Sequence, residues 1–342
     1  MRINAIAFST NGCRTAIRLK EAFPEEDIRI FAKTQCDTLG VERVEEKASV
    51  WTGKSFEECD AIVYIGAIGI AVRYIAPYIK AKTVDPAIVG MDEHGRWAIA
   101  LLAGHIGGAN ALTARIAERL GAEPIITTAT DINGKFSVDT FATVNNLRIM
   151  GLRTAQDVSV RVLDNAFVGF TTEIPVEGDL PVGLTLADSG EFGVSISTDI
   201  EKKPFDTTMR LVPMDIILGV GCKRDTDPEK MKEFVSSILK EESIPDQRVG
   251  AVCSIDLKKD EAAILELAKQ YRVPAKFFTS EELMAVEGEF TKSDFVKSIT
   301  SVDCVCERSS VKPYGGEIIR RKTAKDGMTI AICRRPMELK FL

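Results

Sequence analysis

The chain has 342 residues, of which 45% are hydrophobic and 27% charged, a composition typical of a globular protein with two or three domains. Its formal net charge is −6, and its densest basic cluster is Arg320-Arg321-Lys322, which excludes the basic face expected of a nucleic-acid-binding protein. An acidic protein does not attract an anionic ligand through its overall field, so such a ligand would need a local positive site.

The N-terminus predicts a first strand rather than a targeting signal. Residues 3–8 are apolar and β-prone, but this run is too short for the core of a signal peptide. No apolar run reaches the roughly 18 residues that a membrane-spanning helix needs. We therefore expect a cytoplasmic protein with no membrane partner.

The cysteines and histidines argue against a metal site held by the protein. The eight cysteines are scattered without any CxxC, which predicts reduced core residues rather than a disulfide framework. Only two histidines, His94 and His105, are present, too few for a typical zinc site. His94 lies beside Glu93 in an expected hairpin turn, and both are reserve acid–base candidates, although a solvated turn is the alternative interpretation.

Along the first 130 residues, apolar strand patterns alternate with amphipathic helix patterns. The expected strands cover residues 3–8, 61–65, 87–91, 97–102 and 124–127. The expected helices cover residues 15–23, 70–79 and 108–120. Such alternation is typical of a layered α/β domain.

From about residue 140 the pattern changes to short strands separated by Gly, Pro and Asp turns, at residues 158–163, 166–172, 184–186 and 192–198. A second alternation follows, with segments at residues 215–220, 249–255, 260–271, 275–278, 293–301 and 329–334 and a helix that begins beside Pro228. The sequence thus predicts an α/β fold of three domains. The N-terminal (1–138) and C-terminal (213–342) domains are three-layer α/β, and the smaller middle domain (139–212) is rich in strands.

The segment with the most candidate site residues is 101–110, LLAGHIGGAN, which joins an expected strand to an expected helix. Its glycines Gly104, Gly107 and Gly108 permit positive φ and let a ligand approach the backbone. Amides at a helix N-terminus favour negative charge. An imidazole in such a loop, here His105, is suited to proton transfer near neutral pH. The alternative is a tight turn with a hydrogen-bonded histidine.

Residues 127–134, TTATDING, follow the next expected strand and place hydroxyl and carboxylate side chains at one strand end. If the two strands run parallel, this loop and the His105 loop share a sheet edge, where α/β folds bind ligands. Asp131 could then orient His105 or act as a base itself. The alternative is a turn at Asn133-Gly134 with capping threonines.

Three cations lie close to glycine turns and could hold carboxylates through charge-assisted hydrogen bonds. Arg73 follows the turn at residues 66–69, and Lys223 and Arg224 precede an expected helix. Helix packing explains the glycines before Arg73 equally well, and a solvated loop is the alternative for Lys223 and Arg224.

These segments, in this order, resemble the CbiG family of the anaerobic cobalamin pathway. The matching residues are 66–73 (GAIGIAVR), 84–87 (VDPA), 101–110, 126–134, Val138-Asp139, 219–224 (GVGCKR) and 257–261 (LKKDE). The match covers most of residues 50–140 and 215–335, and the combined GHxGGAN and TATD set is specific. Ala103 stands where family members often have serine, which argues against a serine nucleophile at that position.

The resemblance implies hydrolysis of the δ-lactone of cobalt-precorrin-5A with loss of acetaldehyde, which gives cobalt-precorrin-5B. Cobalt would then arrive within the corrinoid substrate, so no cofactor is expected. In this interpretation His105 is the base or acid and Asp131 is its partner. The residues expected to bind the substrate are Arg73, Gly107, Gly108, Asn110, Thr128, Lys223 and Arg224.

Other functions stay open at this point. A non-catalytic corrinoid carrier would bind the same intermediate without releasing an aldehyde. A nucleotide-binding protein could use the glycines of residues 104–108, although neither a P-loop lysine nor G-x-G-x-x-G is found there. A homo-oligomer, or transient contact with other enzymes of the pathway, is also left open.

Overall fold

The computed structural model describes residues 1–81, 84–292 and 300–341, without the side chains of Thr130 and Asp131. The described chain divides into two compact units, Met1–Thr143 and Val144–Leu342. Most of the segment predicted at residues 293–301 lies outside the described residues. The division of the chain into three domains stays a prediction.

The first unit contains seven strands: β1 (Arg2–Ala7), β2 (Asp27–Ala32), β3 (Glu42–Arg43), β4 (Ala61–Ile65), β5 (Ala87–Met91), β6 (Trp97–Leu102) and β7 (Glu123–Ile125). They form one sheet in the order β3-β2-β1-β4-β5-β6-β7. β1 to β5 run parallel, whereas β6 runs antiparallel to β5 and β7 runs parallel to β6. The carboxyl ends of β6 and β7 therefore lie at the edge where the first five strands begin.

Four helices cover both faces of this sheet: α1 (Thr10–Ala22), α2 (Ala48–Glu58), α3 (Ile68–Ile75) and α4 (Ala109–Leu120). Two shorter helices, α5 (Ala129–Ile132) and α6 (Val138–Val144), follow β7. Leu19 of α1 and Ile116 of α4 pack on one face, and Trp51 of α2 and Ile75 of α3 pack on the other. The predicted three-layer α/β architecture is confirmed for this unit.

The second unit begins with a mixed five-stranded sheet and one long helix. Its elements are β8 (Leu147–Met150), α7 (Leu152–Leu163), β9 (Gly169–Thr172), β10 (Val176–Glu177), β11 (Thr185–Leu186), β12 (Gly190–Ile196) and β13 (Phe205–Pro213). The sheet order is β11-β9-β12-β13-β8, and β10 pairs separately with β19 (Leu339–Lys340).

One prediction for this region is wrong. Residues 158–163 form the C-terminal half of helix α7 rather than a strand. Val158, Val160 and Val162 alternate as in a strand, but burial follows the helical spacing of Ala155, Val158 and Val162, while Val160 is exposed. Helical periodicity thus overrides the β-propensity of the three valines.

The second unit ends with a three-layer α/β arrangement. Its elements are β14 (Ile216–Cys222), α8 (Pro228–Glu241), β15 (Val249–Ile255), α9 (Ala262–Tyr271), β16 (Ala275–Phe278), α10 (Ser280–Met284), α11 (Val305–Val311), β17 (Glu317–Lys325) and β18 (Met328–Arg334). The sheet order is β16-β15-β14-β18-β17. Phe234 of α8 and Leu267 of α9 pack on one face, and Cys306 and Val311 of α11 pack on the other.

Helix α11 lies against β14 so closely that only glycine fits at the contact. A Cβ atom on Gly219 would lie 1.8 Å from the carbonyl oxygen of Cys306. The helix is itself fixed in place, because the buried Glu307 carboxylate accepts the backbone N–H groups of Thr291 and Lys322, both at 2.8 Å. Close approach of two backbones therefore requires glycine here.

We predict that Gly219→Ala destabilises the protein, because neither backbone can move aside. The expected loss in the free energy of unfolding is about 1–3 kcal/mol, the usual cost of overpacking a core. The control is Gly69→Ala in α3, where an added Cβ meets nothing within 4 Å. That variant should gain about 0.5–1 kcal/mol from its better helix propensity. Urea midpoints measured by circular dichroism check both, and equal midpoints for the two variants would contradict the close contact.

Candidate active site

The glycine-rich loop after β6 is folded back tightly on itself. Ala103 has a positive φ of 55°, and its carbonyl accepts the N–H of Ala109 at 3.1 Å. A Cβ on Gly107 would lie 2.4 Å from the Cβ of Ala103, so the turn closes only with glycine at position 107. Gly108, with a φ of 86°, caps the N-terminus of α4. The loop thus holds His105 in a short and sterically constrained turn.

The threonine-rich loop after β7 lies beside this turn, as the sequence predicts for parallel neighbouring strands. The Nδ2 of Asn110 donates to the Oγ1 of Thr128 at 2.8 Å. Asn110 is only 8% exposed, so this hydrogen bond is largely shielded from water. One buried amide therefore joins the two predicted site loops.

A cavity of about 380 Å³ opens where the two loops meet. Its polar wall includes His105, Asn110, Thr127, Thr128 and Asp139. The remaining lining is backbone and apolar side chain, contributed by Ala100, Leu101, Leu102, Ala103, Gly104 and Ile106. This combination of an apolar wall and a few convergent polar groups is typical of small-molecule sites.

Ser137, which the sequence analysis missed, is placed against His105 by the fold. Its Oγ lies 3.4 Å from the Nδ1 of the half-buried imidazole. The same Oγ accepts the backbone N–H of Thr140 at 3.3 Å and the Thr140 hydroxyl at 3.1 Å. A serine three residues before a threonine at the start of α6 is a capping signal, which in the sequence does not point to a histidine 32 residues away.

Asp131 belongs to the short helix α5, which forms within the threonine-rich loop, but its side chain lies outside the described part of the structure. Its pairing with His105 therefore stays a prediction. The carboxylate that lines the cavity among the described side chains is that of Asp139.

The glycine amides differ in what they can offer a ligand. The N–H of Gly108 donates to the carbonyl of His105 at 3.0 Å, so this amide is already engaged within the turn. Contact between Gly108 and the substrate stays a prediction. The N–H of Gly107 stays the candidate donor.

Arg73 is exposed on α3 and is not among the described residues that line the cavity. The turn before it, with Gly66 at a φ of 154°, follows the carboxyl end of β4 and so lies at the opposite sheet edge from the His105 turn. Helix α3 then runs back across the sheet from that edge. Direct contact between Arg73 and a ligand stays a prediction.

In the second unit, Lys223 and Arg224 are exposed in the loop between β14 and α8. The backbone N–H of Lys223 donates to the carbonyl of Gly327 at 3.1 Å, and its carbonyl accepts the Thr226 hydroxyl at 2.8 Å. The loop is therefore anchored while both cationic side chains reach solvent. Burial, with the Glu261 carboxylate nearby, raises the pKa of the Cys222 thiol, which argues against a nucleophilic role for this cysteine.

The reserve pair, Glu93 and His94, lies in the hairpin turn between β5 and β6. This turn is at the start of β6, and the cavity is at its end, about 20 Å along a strand of this length. A hydrogen bond from the Ser9 hydroxyl lowers the pKa of Glu93, which favours the ionised form. The hairpin is therefore a structural turn remote from the cavity.

The described residues contain neither a metal-binding cluster nor a membrane-spanning helix. No group of three or more His, Cys, Asp or Glu side chains there is arranged to hold a metal ion. Within the same residues, no helix combines the length and the apolarity that crossing a bilayer requires.

Comparison with known proteins places these features in a family. The family model described as Cobalamin synthesis G N-terminal matches residues 50–131, and the model described as Cobalamin synthesis G C-terminus matches residues 216–333. The chain is 36% identical to a cobalt-precorrin-5A hydrolase of Salmonella typhimurium, over 82% of this chain and 83% of that protein. It is 27% identical to a cobalt-precorrin-5A hydrolase of Priestia megaterium, over 97% and 95% of the two chains.

Among solved structures, a cobalamin biosynthesis protein G homologue from Sulfolobus solfataricus aligns over 97% of both chains, with 23% identity and a TM-score of 0.43. The matched N-terminal region contains the His105 turn and residues 127–131 of the threonine-rich loop, and the resemblance to the family is confirmed. The chain belongs to the cobalamin synthesis G (CbiG) family.

Proposed function

We propose that this protein is a cobalt-precorrin-5A hydrolase, which opens the δ-lactone of its substrate and releases acetaldehyde to give cobalt-precorrin-5B. The observation that carries the proposal is the joining of the His105 turn and the threonine-rich loop around one cavity. Its support is the identity to relatives that bear this name. Cobalt enters as part of the substrate, so the protein supplies binding, orientation and proton transfer.

Lactone opening needs an activated water molecule and donors for the oxyanion that develops on the carbonyl oxygen. We assign proton transfer to His105, with Asp131 as its partner. The N–H of Gly107 is assigned as the hydrogen-bond donor to the oxyanion. Asn110 and Thr128 would then orient the lactone, because both line the cavity and one hydrogen bond fixes their relative position. Water attack breaks the acyl–oxygen bond of the ring and leaves a carboxylate and an alcohol.

Release of acetaldehyde requires a second proton transfer. The alcohol oxygen loses its proton, the adjacent carbon–carbon bond breaks, and the bonding electrons move into the conjugated macrocycle as the aldehyde C=O forms. A cavity of about 380 Å³ suits the lactone-bearing edge of a macrocycle rather than the whole ring. Carboxylates elsewhere on the substrate would bind to cations, for which we propose Arg73, Lys223 and Arg224.

His105→Ala is expected to lower the rate of acetaldehyde release from cobalt-precorrin-5A by about 10²–10⁴-fold, the usual contribution of a positioned proton-transfer group. A colorimetric aldehyde assay measures the rate. His94→Ala is the matched control, because it removes the other imidazole of the chain at a remote hairpin.

Full aldehyde release by His105→Ala would remove His105 from the mechanism. Corrinoid binding by the unaltered protein without any aldehyde would instead favour a non-catalytic carrier of the intermediate. These two results are distinguishable because the first concerns one residue and the second concerns the reaction itself.

Lys223→Ala and Arg224→Ala are each expected to raise KM about fivefold with little change in kcat, as for the loss of about 1 kcal/mol of ground-state binding. Lys240→Ala is the control for charge, since it removes one exposed cation at the far end of α8. Raising the ionic strength should increase KM of the unaltered protein more than that of either variant. A KM unchanged in both variants would exclude this loop from substrate binding.

A further inference from the structure

We infer that Ser137 is a positioning residue that holds His105 in the tautomer with its proton on Nε2, so that the imidazole acts as a hydrogen-bond donor to the developing oxyanion and Asp139 as the proton acceptor. The inference rests on the proposed function and decides between the two roles that function leaves to His105. It also assigns roles to two residues outside the predicted site.

The tautomer follows from counting protons around the Ser137 hydroxyl. A serine oxygen has one proton to donate and two lone pairs to accept with. The Thr140 backbone N–H, at 3.3 Å, and the Thr140 hydroxyl, at 3.1 Å, occupy both lone pairs. The remaining serine proton is therefore left for the Nδ1 of His105, 3.4 Å away. In a neutral imidazole whose Nδ1 accepts a hydrogen bond, the ring proton is on Nε2.

Packing at the start of helix α6 holds the Ser137 hydroxyl in the position that these hydrogen bonds require. The carbonyl of Ser137 accepts the N–H of Phe141 at 3.0 Å, which starts helix α6. Val138, Phe141 and Ala142 of this helix are buried, and the ring of Phe136 lies 5.4 Å from that of Phe141. The hydroxyl is therefore held by a packed helix start, which restricts the imidazole to one orientation.

The tautomer determines which proton transfers His105 can make. An Nε2 that carries a proton donates to the carbonyl oxygen of the lactone as negative charge develops there. It cannot at the same time remove a proton from the attacking water, so another group must accept that proton. Asp139 lines the same cavity and is the carboxylate that the described side chains provide there.

Protons and electrons balance in the resulting hydrolysis of the lactone. Water forms the new C–O bond and gives one proton to Asp139, while the carbonyl π electrons move to the oxygen that His105 hydrogen-bonds. The intermediate then collapses, the ring C–O bond breaks, and the departing oxygen takes the proton from Asp139. Both residues return to their starting protonation, and the substrate has gained one water molecule.

Nitrogen-15 NMR of the imidazoles tests the tautomer without any substrate. The chain has two histidines, so His94→Gln assigns the signals. At about pH 8, where ordinary imidazoles are neutral, His105 should show an unprotonated Nδ1 and a protonated Nε2. Ser137→Ala should move these shifts towards those of the exposed His94, and Ser137→Thr should keep them. A proton on Nδ1 of His105, or no response to Ser137→Ala, would overturn the inference.

Isosteric variants test the donor role in the reaction. The side-chain nitrogen of Gln reaches the place of Nε2, and that of Asn reaches the place of Nδ1. His105→Gln should therefore keep at least about tenfold more kcat than His105→Asn, since one donor to an oxyanion contributes about 10²–10³-fold. KM should change little in either. Asp139→Asn should lose about 10²–10⁴-fold in kcat, with circular dichroism as the check on folding.

These experiments distinguish failure of the assigned residue roles from failure of the proposed function. If the unaltered protein releases acetaldehyde but His105→Gln is as inactive as His105→Asn, the donor role is wrong and the proposed function stands. If Asp139→Asn keeps kcat within about twofold, well below the usual effect of a lost base, the acceptor role is wrong. If the unaltered protein releases no acetaldehyde, the proposed function fails, while the NMR result still decides the tautomer.

Discussion

The candidate site depends on one reversal of direction in the N-terminal sheet. The hairpin between β5 and β6 is held by the Asp92 carboxylate, which accepts three backbone N–H groups across the turn. Because β6 and β7 then run parallel to each other, their following loops meet at one edge, where Asn110 donates to Thr128. This hydrogen bond contributes about 0.5–1.5 kcal/mol, which favours the arrangement in which the two loops are joined. The cavity is a consequence of this pairing.

Patterns local in sequence predicted most of the architecture, and contacts between distant residues account for what was missed. The apolar runs of β4 and β5 match the structure because buried strands need continuous hydrophobic residues. Residues 158–163 were wrongly predicted as a strand because their valines satisfy two periodicities at once. The shared edge of the two loops was predictable from strand order, whereas Ser137 was not, since helix α6 brings it to His105 only in the folded chain.

The net charge of the protein and the size of the cavity indicate that, in the proposed enzyme, substrate binding and catalysis depend on different groups. A net charge of −6 gives no long-range attraction for a polycarboxylate, so local cations have to supply the binding. A cavity of about 380 Å³ has room for the reacting part of a macrocycle, and its polar groups are few. Binding energy from the periphery can then hold the lactone against His105 and Asp139, where interactions that strengthen in the transition state raise kcat.

The different roles of His105 and Asp139 in this cavity follow from a hydrogen-bonding arrangement at the start of helix α6. Thr140 occupies both lone pairs of the Ser137 oxygen, and this local capping arrangement leaves the serine proton for Nδ1 of His105. A helix start thus sets the protonation pattern of an imidazole on another loop. Ala103 on the cavity wall has no hydroxyl that could attack the carbonyl from that position, which agrees with attack by water. A histidine that donates a hydrogen bond to the oxyanion and a carboxylate that accepts and returns the proton of water are then the minimal set that hydrolysis requires, and both line the one cavity.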